Sequence, residues 1–145
     1  MKDPAHSQRP LSANDPQKAA LRVDKPWGYE LLFARTDRYA GKILFIRSGE
    51  SLSLQYHRVK EETILVATGL LRLQFGEPGR AASETPGDSL RDIQLKPGEC
   101  WHIPPLTRHR FIAEQDTRLF EVSTSELDDV VRLEDRYGRQ GTSES

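Results

Sequence analysis

The 145-residue chain has a single cysteine, almost no net charge and no long hydrophobic run. Its one cysteine, Cys100, excludes an internal disulfide and a zinc site built from several cysteines, and we expect a packed or exposed thiol rather than a nucleophile. Because 21 basic residues nearly offset 22 acidic ones, no overall attraction to nucleic acids or anionic membranes is expected. No apolar segment approaches the roughly 20 residues that span a bilayer. The N-terminal sequence lacks the apolar centre of a secretion signal, so we expect a cytoplasmic location.

The pattern of polar and apolar residues predicts one all-β domain between two polar tails. Residues 1–22 are expected to form a flexible tail, 23–139 the folded domain and 140–145 a disordered tail. Short apolar segments separated by Gly and Pro predict nine strands, at 29–35, 42–48, 52–57, 62–68, 70–76, 91–96, 99–104, 109–114 and 117–123. Short strands at such spacing are typical of an antiparallel sandwich or barrel.

Two parts of the predicted domain depart from this strand pattern. Residues 76–90, GEPGRAASETPGDSL, are rich in Gly, Pro and Ser and predict a long loop. The segment after Ser123, TSELDDVVRLEDRYGRQG, predicts a short C-terminal helix with Thr124 or Ser125 as its cap and acidic residues in its first turn.

Three polar side chains in residues 53–69, SLQYHRVKEETILVATG, have the spacing of a candidate metal site. Gln55 and His57 are two apart on one predicted strand and therefore project to the same face. If this strand and the next pair as a hairpin, Glu62 returns beside His57, and His109 opens a later strand that can approach them in a closed barrel. These groups suit a divalent cation. The spacing alone also suits a hydrogen-bonded polar turn without a metal.

Two motifs of the chain resemble those of the cupin family. Residues 49–69, GESLSLQYHRVKEETILVATG, match the intervals of the first cupin motif, and residues 98–109, GECWHIPPLTRH, are similar to the second. Three further segments resemble the mannose-6-phosphate isomerase type of cupin, the module also fused to mannose-1-phosphate guanylyltransferases. They are KPWGYE at 25–30, LSLQYH at 52–57 and DDVVRLEDRYGR at 128–139, the last of which general cupins lack. The resemblance covers nearly the whole predicted domain and includes no guanylyltransferase.

The resemblance implies a jelly-roll barrel, or double-stranded β-helix, that holds a divalent metal such as Zn, Mn, Fe or Co. The metal ligands that it implies are Gln55, His57, Glu62 and His109. It further implies an isomerase that interconverts an aldose phosphate and a ketose phosphate, namely mannose 6-phosphate and fructose 6-phosphate, through a metal-stabilised enediolate. A homodimer is also implied.

Residues next to the implied ligands are the candidates for catalysis. Lys60 falls where the family usually has arginine, and Arg110 matches its arginine after the ligand histidine, so both are candidates to contact a phosphate or hydroxyl group. Glu61 is a candidate proton shuttle, and His102 is a candidate acid–base group. The alternatives are an exposed turn glutamate at the first position and a packed strand histidine at the second.

Departures from the family pattern leave the substrate open. Thr63-Ile64 replaces the usual His-Trp, Leu106 stands where glycine is usual, and Ala113 stands where asparagine often lies. Two alternatives to the isomerase therefore remain: a cupin Fe(II) dioxygenase acting on a small organic substrate, and a non-catalytic cupin that binds a small molecule. In every case the expected partner is a small molecule, a sugar phosphate for the isomerase, and neither a nucleic acid nor a membrane.

Overall fold

The chain folds into two antiparallel six-stranded sheets that enclose a common interior. The computed structural model describes residues 19–81, 90–138 and 141–142. In chain order the strands are β1 (Leu21–Lys25), β2 (Gly28–Arg35), β3 (Ala40–Ile46), β4 (Leu54–Tyr56), β5 (Glu62–Thr68), β6 (Leu71–Phe75), β7 (Arg91–Leu95), β8 (Cys100–Ile103), β9 (His109–Ala113), β10 (Thr117–Ser123), β11 (Val131–Glu134) and β12 (Gly141–Thr142). One sheet, which we call sheet A, has the order β1-β2-β3-β10-β5-β8. The other, sheet B, has the order β12-β11-β4-β9-β6-β7.

The all-β prediction is confirmed, and each of the nine predicted strands is present with ends within two residues of those expected. The sequence pattern missed β1, β11 and β12, which lie near the two ends of the chain. Two residues of the predicted N-terminal tail, Leu21 and Arg22, belong to β1, and residues 1–18 lie outside the described part of the chain. Residues 82–89 of the predicted long loop lie outside it as well.

The predicted helix after Ser123 is wrong, because the described residues contain only strands and turns there. Residues 124–130 form turns between β10 and β11, and β11 then pairs with β4 in sheet B. The carboxylate of Asp129 accepts backbone hydrogen bonds from residues 58–60 rather than capping a helix. Tertiary hydrogen bonds therefore override the weak helix propensity of this acidic segment.

Alternation along the strands divides the interior into an apolar end and a charged end. Along β10, the side chains of Thr117, Leu119, Glu121 and Ser123 are buried while those between them are exposed. Leu119 lies beside Leu44 and Val66 in the neighbouring strands, whereas Glu121 lies beside Lys42. The buried apolar core comprises Trp27, Leu44, Ile46, Ile64, Val66, Leu71, Leu73, Phe75, Leu95, Ile103, Phe111, Ala113 and Leu119. The same strands that pack this core also carry charged residues into the interior.

The described residues contain no helix that is long and apolar enough to cross a membrane.

Candidate metal centre

Three buried side chains meet in the interior at the charged end. His57 directly follows β4, Glu62 is the first residue of β5, and His109 is the first residue of β9. Nε2 of His57 lies 3.3 Å from Oε2 of Glu62, and Nε2 of His109 lies 3.8 Å from Oε1 of Glu62. One ligand atom from each residue falls within 4.8 Å of the others. The hairpin expected for β4 and β5 does not form, since these strands belong to opposite sheets and bring His57 and Glu62 together across the interior.

Hydrogen bonds to main-chain carbonyls determine which nitrogen of each histidine faces the cluster. Nδ1 of His57 lies 2.5 Å from the carbonyl oxygen of Asp129, and Nδ1 of His109 lies 2.8 Å from that of Thr107. Because a carbonyl can only accept, each Nδ1 carries the proton, and each Nε2 of a neutral ring presents a lone pair to Glu62. Both Nε2 atoms are buried and have no hydrogen-bond partner among the described residues. Two lone pairs and a carboxylate turned toward one point are the donor set of a cation.

Burial and neighbouring charges favour the protonation states that a metal requires. Burial, which disfavours the imidazolium form, lowers the pKa of His109 to about 4 despite the opposing effect of Glu62. Burial acts to raise the pKa of Glu62, but the ammonium group of Lys60 outweighs it and holds this pKa well below its usual range. At neutral pH the cluster therefore offers a neutral His109 and an ionised carboxylate.

Gln55 lies beside the cluster on β4. It is the register partner of His109 in β9, so the two side chains project to the same side of sheet B. Its Oε1 accepts a hydrogen bond from Ser53 Oγ at 2.8 Å. A second lone pair on that oxygen remains for a cation. The placement agrees with the predicted role of Gln55 as a fourth ligand, and that role stays a prediction.

A charged cavity adjoins the cluster. Its lining residues are Lys25, Trp27, Glu30, Lys42, Leu44, Leu52, Ser53, Gln55, His57, Lys60, Glu121, Leu127, Val130 and Arg132. Its free volume is about 40 Å³, which is room for roughly three water molecules. Among these residues four cationic side chains face two carboxylates, so the cavity carries an excess of positive charge.

Lys60 is the one predicted catalytic residue that the fold brings to the cluster. Its Nζ lies 3.1 Å from Oε2 of Glu62 and 3.2 Å from Oε2 of Glu121, and its side chain is buried. Burial opposes the charge of this amine, but the carboxylates of Glu121 and Glu62 outweigh burial and raise the pKa of Lys60. Lys60 is therefore a fixed ammonium group.

The structure does not bring Arg110, Glu61 and His102 to the cavity. Arg110 follows the inward-facing His109 on β9, points to the opposite face, and pairs with Glu134 at 3.2 Å. The side chains of Glu61 and His102 are 50% and 54% exposed and lie 2.5 Å apart on the outside. The catalytic roles predicted for these three residues gain no support from this placement.

The departures from the family pattern lie away from the charged cavity. Thr63 faces outward on β5, whereas Ile64 is completely buried in the apolar core. Leu106 adopts a φ of 58°, in the left-handed region that glycine adopts most readily. Its N–H donates a 2.7 Å hydrogen bond to the carbonyl of His57. These positions therefore affect the frame around the site more than its polar lining.

Sequence reasoning missed two kinds of residue that shape the site. Glu30, Lys42 and Glu121 are buried and line the cavity, and inward alternation along β2, β3 and β10 was the signal available for them. Asp129 lies in the C-terminal motif and contacts both His57 and the turn that follows it. No local pattern indicated that contact, because it joins residues about 70 positions apart.

Sequence comparison relates part of several longer proteins to this chain. No family model matches the chain. Mannose-1-phosphate guanylyltransferase ManC from Salmonella typhimurium is 32% identical over 120 residues, an alignment that covers 81% of this chain and 23% of ManC. The chain spans about a quarter of the length of the curated relatives it matches.

Solved structures share the arrangement of the two sheets. KdgF from Halomonas sp. superposes with a TM-score of 0.61 at 15% identity, covering 77% of this chain and 96% of that structure. CapF from Staphylococcus aureus, a capsular polysaccharide assembling protein, superposes with a TM-score of 0.60 at 20% identity, covering 88% and 35% respectively. The chain has a cupin fold. Within this fold the His-Glu-His cluster is buried, with its donor atoms near one another.

Proposed function

We propose that this cupin is a metal-dependent isomerase that interconverts an aldose phosphate and a ketose phosphate. The observation that carries the proposal is the pair of buried Nε2 atoms that face the Glu62 carboxylate and have no hydrogen-bond partner among the described residues. The similarity to ManC, whose name specifies mannose 1-phosphate, supports a sugar phosphate as the class of substrate.

The residues present fit a divalent cation such as Zn, Mn, Fe or Co. His57, Glu62 and His109 supply two nitrogens and an oxygen, and Gln55 supplies an amide oxygen from the neighbouring position on sheet B. These residues would hold the cation, and the chemistry it would supply there is the polarisation of a substrate carbonyl group. The hydrogen bonds from each Nδ1 to a backbone carbonyl keep both rings oriented for this task.

The cavity charges suit an anionic substrate. Four cations line the cavity, Lys25, Lys42, Lys60 and Arg132, against two carboxylates, Glu30 and Glu121. This excess of positive charge attracts a phosphate or an oxyanion. The free volume of about 40 Å³ is too small for a whole sugar phosphate, so we propose that only the reacting end of the substrate enters the cavity.

We assign proton transfer to carboxylates that line the cavity rather than to Lys60. Lys60 keeps its proton because two carboxylates lie within 3.2 Å of its ammonium group, so it acts as a hydrogen-bond donor to substrate oxygens. Glu30 and Glu121 line the cavity and are able to accept a proton from a substrate carbon or hydroxyl. Glu121 is the nearer of the two to the cluster, since its Oε2 shares Lys60 with Glu62.

Metal analysis combined with an isomerase assay tests the proposal. Purified protein is loaded with Zn, Mn, Fe or Co, its bound metal is measured, and turnover of mannose 6-phosphate to fructose 6-phosphate is followed. We expect about one metal per chain and turnover in the wild type, and neither in His57→Ala. The exposed His102→Ala variant is the matched control and retains both.

Each negative result has a distinct meaning. A chain that stays metal-free after loading contradicts the metal centre. A metal-loaded chain that turns over no aldose or ketose phosphate contradicts the isomerase while leaving the cupin fold intact. Substrate-dependent oxygen uptake by the iron form points instead to a dioxygenase, and ligand-induced thermal shifts without turnover point to a binding protein.

We also propose that the protein forms a homodimer. Large apolar side chains remain exposed on the outer face of sheet A, among them Phe33, Leu65, Phe120 and Val122. Exposed apolar clusters of this kind are typical of protein interfaces. A second copy of the chain covering this face would remove them from water.

A further inference from the structure

Asp129 fastens the turn that connects two of the proposed metal ligands. Its Oδ1 accepts a hydrogen bond from the N–H of Arg58 at 3.0 Å. Its Oδ2 accepts from the N–H groups of Val59 and Lys60 at 2.7 and 2.9 Å. These three residues follow His57 directly and lead to Glu62. Three N–H groups aimed at one carboxylate form an anion-binding nest, and hydrogen bonds to a charged acceptor are roughly twice as strong as neutral ones.

The main chain of the same residue orients His57. The carbonyl oxygen of Asp129 accepts the Nδ1 proton of the His57 ring at 2.5 Å. This contact places the proton of the neutral ring on Nδ1 and leaves the Nε2 lone pair for a cation. The carboxylate and the carbonyl thus act on the same short stretch of chain, one on its backbone and the other on its imidazole.

Two further hydrogen bonds join residues 124–130 to the end of the turn that precedes Glu62. The N–H of Thr124 donates to the carbonyl of Glu61 at 3.0 Å, and the N–H of Glu61 donates to Oγ1 of Thr124 at 3.0 Å. Leu127 and Val130, from the same segment, are buried and line the cavity. Residues 124–130 therefore bridge the ligand turn along its length, with Asp129 at the position nearest His57.

We propose that Asp129 is a positioning residue for the metal centre, fixing the 58–60 turn through its carboxylate and the tautomer of His57 through its carbonyl. The inference rests on the proposed metal centre. Outer partners of this kind typically change metal affinity 10- to 100-fold when they are altered. Asp129→Asn keeps the size of the side chain but loses the negative charge and one acceptor oxygen, so the turn and the His57 contact loosen together.

Asp128→Asn is the matched control, because it removes the same charge from an adjacent exposed residue. Zinc affinity is measured by competition with a chelator for the wild type, Asp129→Asn, Asp129→Ala and Asp128→Asn. We expect a loss of about 10-fold for Asp129→Asn, about 100-fold for Asp129→Ala and less than about 2-fold for Asp128→Asn. A second readout uses metal-free protein: the ¹⁵N shifts of the His57 ring are expected to show one Nδ1-protonated tautomer in the wild type and a mixture in Asp129→Ala.

The two readouts separate this inference from the proposed function. A wild type that binds no zinc contradicts the metal centre, and the tautomer measurement then still decides the role of Asp129. Equal zinc affinities for Asp129→Asn and Asp128→Asn, with an unchanged His57 tautomer, overturn the inference. An Asp129→Asn protein that fails to fold also overturns it, because the residue would then serve the whole fold rather than the centre.

Discussion

The ammonium group of Lys60 contacts the carboxylate of Glu62, which we propose as a metal ligand. Its Nζ lies 3.1 Å from Glu62 and 3.2 Å from Glu121, and all three side chains are buried. At such distances a second cation bound to Glu62 is repelled by the ammonium group. Glu121 offsets part of this repulsion because it neutralises Lys60 from the other side. We therefore expect the charge of Lys60 to weaken metal binding at the proposed centre and to favour the proposed anionic substrate.

Lys60→Met should tighten metal binding and lower turnover. Removing the ammonium group removes its repulsion of the metal, and we expect affinity to rise by about tenfold, equivalent to about 1.4 kcal/mol. Turnover falls because a donor to the substrate is lost. Chelator competition measures the first effect and the isomerase assay the second. Lys96→Met, in an exposed turn, is the control and changes neither; equal affinities for the two variants would contradict the prediction.

The cluster of His57, Glu62 and His109 was predictable from the sequence, whereas three of the four catalytic candidates lie away from the cavity. Arg110 follows His109, Glu61 precedes Glu62, and His102 precedes the buried Ile103. Adjacent residues in a strand point to opposite faces, so closeness to an inward residue in the sequence argues against sharing its site. Lys60 escapes this rule because it lies in a turn, where its direction is set by contacts with Glu62 and Glu121.

At the scale of the elements, sheet A carries a buried ion pair on its inner face. Nζ of Lys42 on β3 lies 3.3 Å from Oε1 of Glu30 on β2, and both side chains are less than a tenth exposed. Breaking such a pair leaves one charge uncompensated in the interior, which typically costs about 3–5 kcal/mol. An exposed pair contributes about 0–1 kcal/mol, because water screens it. We therefore expect the buried Lys42–Glu30 pair to contribute more to stability than an exposed ion pair.

Glu30→Gln should lower the free energy of unfolding by about 3–5 kcal/mol at pH 7, because Lys42 loses its buried partner. Urea denaturation followed by fluorescence measures the change. The control is Asp92→Asn, which breaks the Arg72–Asp92 pair whose side chains are 40% and 47% exposed, and we expect a loss below about 1 kcal/mol. Similar losses for the two variants would show that the inner pair is not desolvated.

The same pair gives a pH dependence of defined sign. Burial acts to raise the pKa of Glu30, but Lys42 and Lys25 outweigh it and lower the pKa below the ordinary value of 4.5. The folded state therefore binds this proton less readily than the unfolded state, and the stabilisation present above pH 4.5 is lost as the pH falls toward the lowered pKa. We expect the stability gap between wild type and Glu30→Gln to narrow between pH 5 and 3. A gap that stays constant across this range would contradict the assignment.

Local sequence patterns predicted strands well and predicted the C-terminal segment badly. The nine strands found in advance, such as β5 and β10, carry alternating or β-branched residues whose burial follows from their own period. The segment after Ser123 has acidic residues of the kind found in the first turn of a helix. Its structure depends instead on the hydrogen bonds of Asp129 to the 58–60 turn and on the pairing of β11 with β4. Interactions between residues far apart in the chain leave no local sequence pattern. The motif at 128–139 could therefore be recognised by resemblance, but its secondary structure could not be predicted.

At the scale of the whole molecule, sheet A carries a row of apolar side chains on its outer face. Leu31, Ile43, Phe120 and Leu65 are register partners across β2, β3, β10 and β5, so they form one row. Phe120 is 40% exposed, and Val122, two residues further along β10, is 56% exposed. The ring of Phe33 lies over Gly41, where an added Cβ would come within 2.7 Å of it. We propose that a second copy of the same face covers this row.

Phe120→Arg should convert the proposed homodimer into a monomer, because it places a charge in the centre of the apolar row. Light scattering coupled to size-exclusion chromatography is expected to give twice the chain mass of 16.5 kDa for the wild type and the single mass for the variant. Leu133→Arg is the control, since Leu133 is also exposed, at 46%, but lies on β11 in sheet B. It should remain a dimer. A wild type that is monomeric at micromolar concentration contradicts the homodimer, and dissociation by Leu133→Arg alone moves the interface to sheet B.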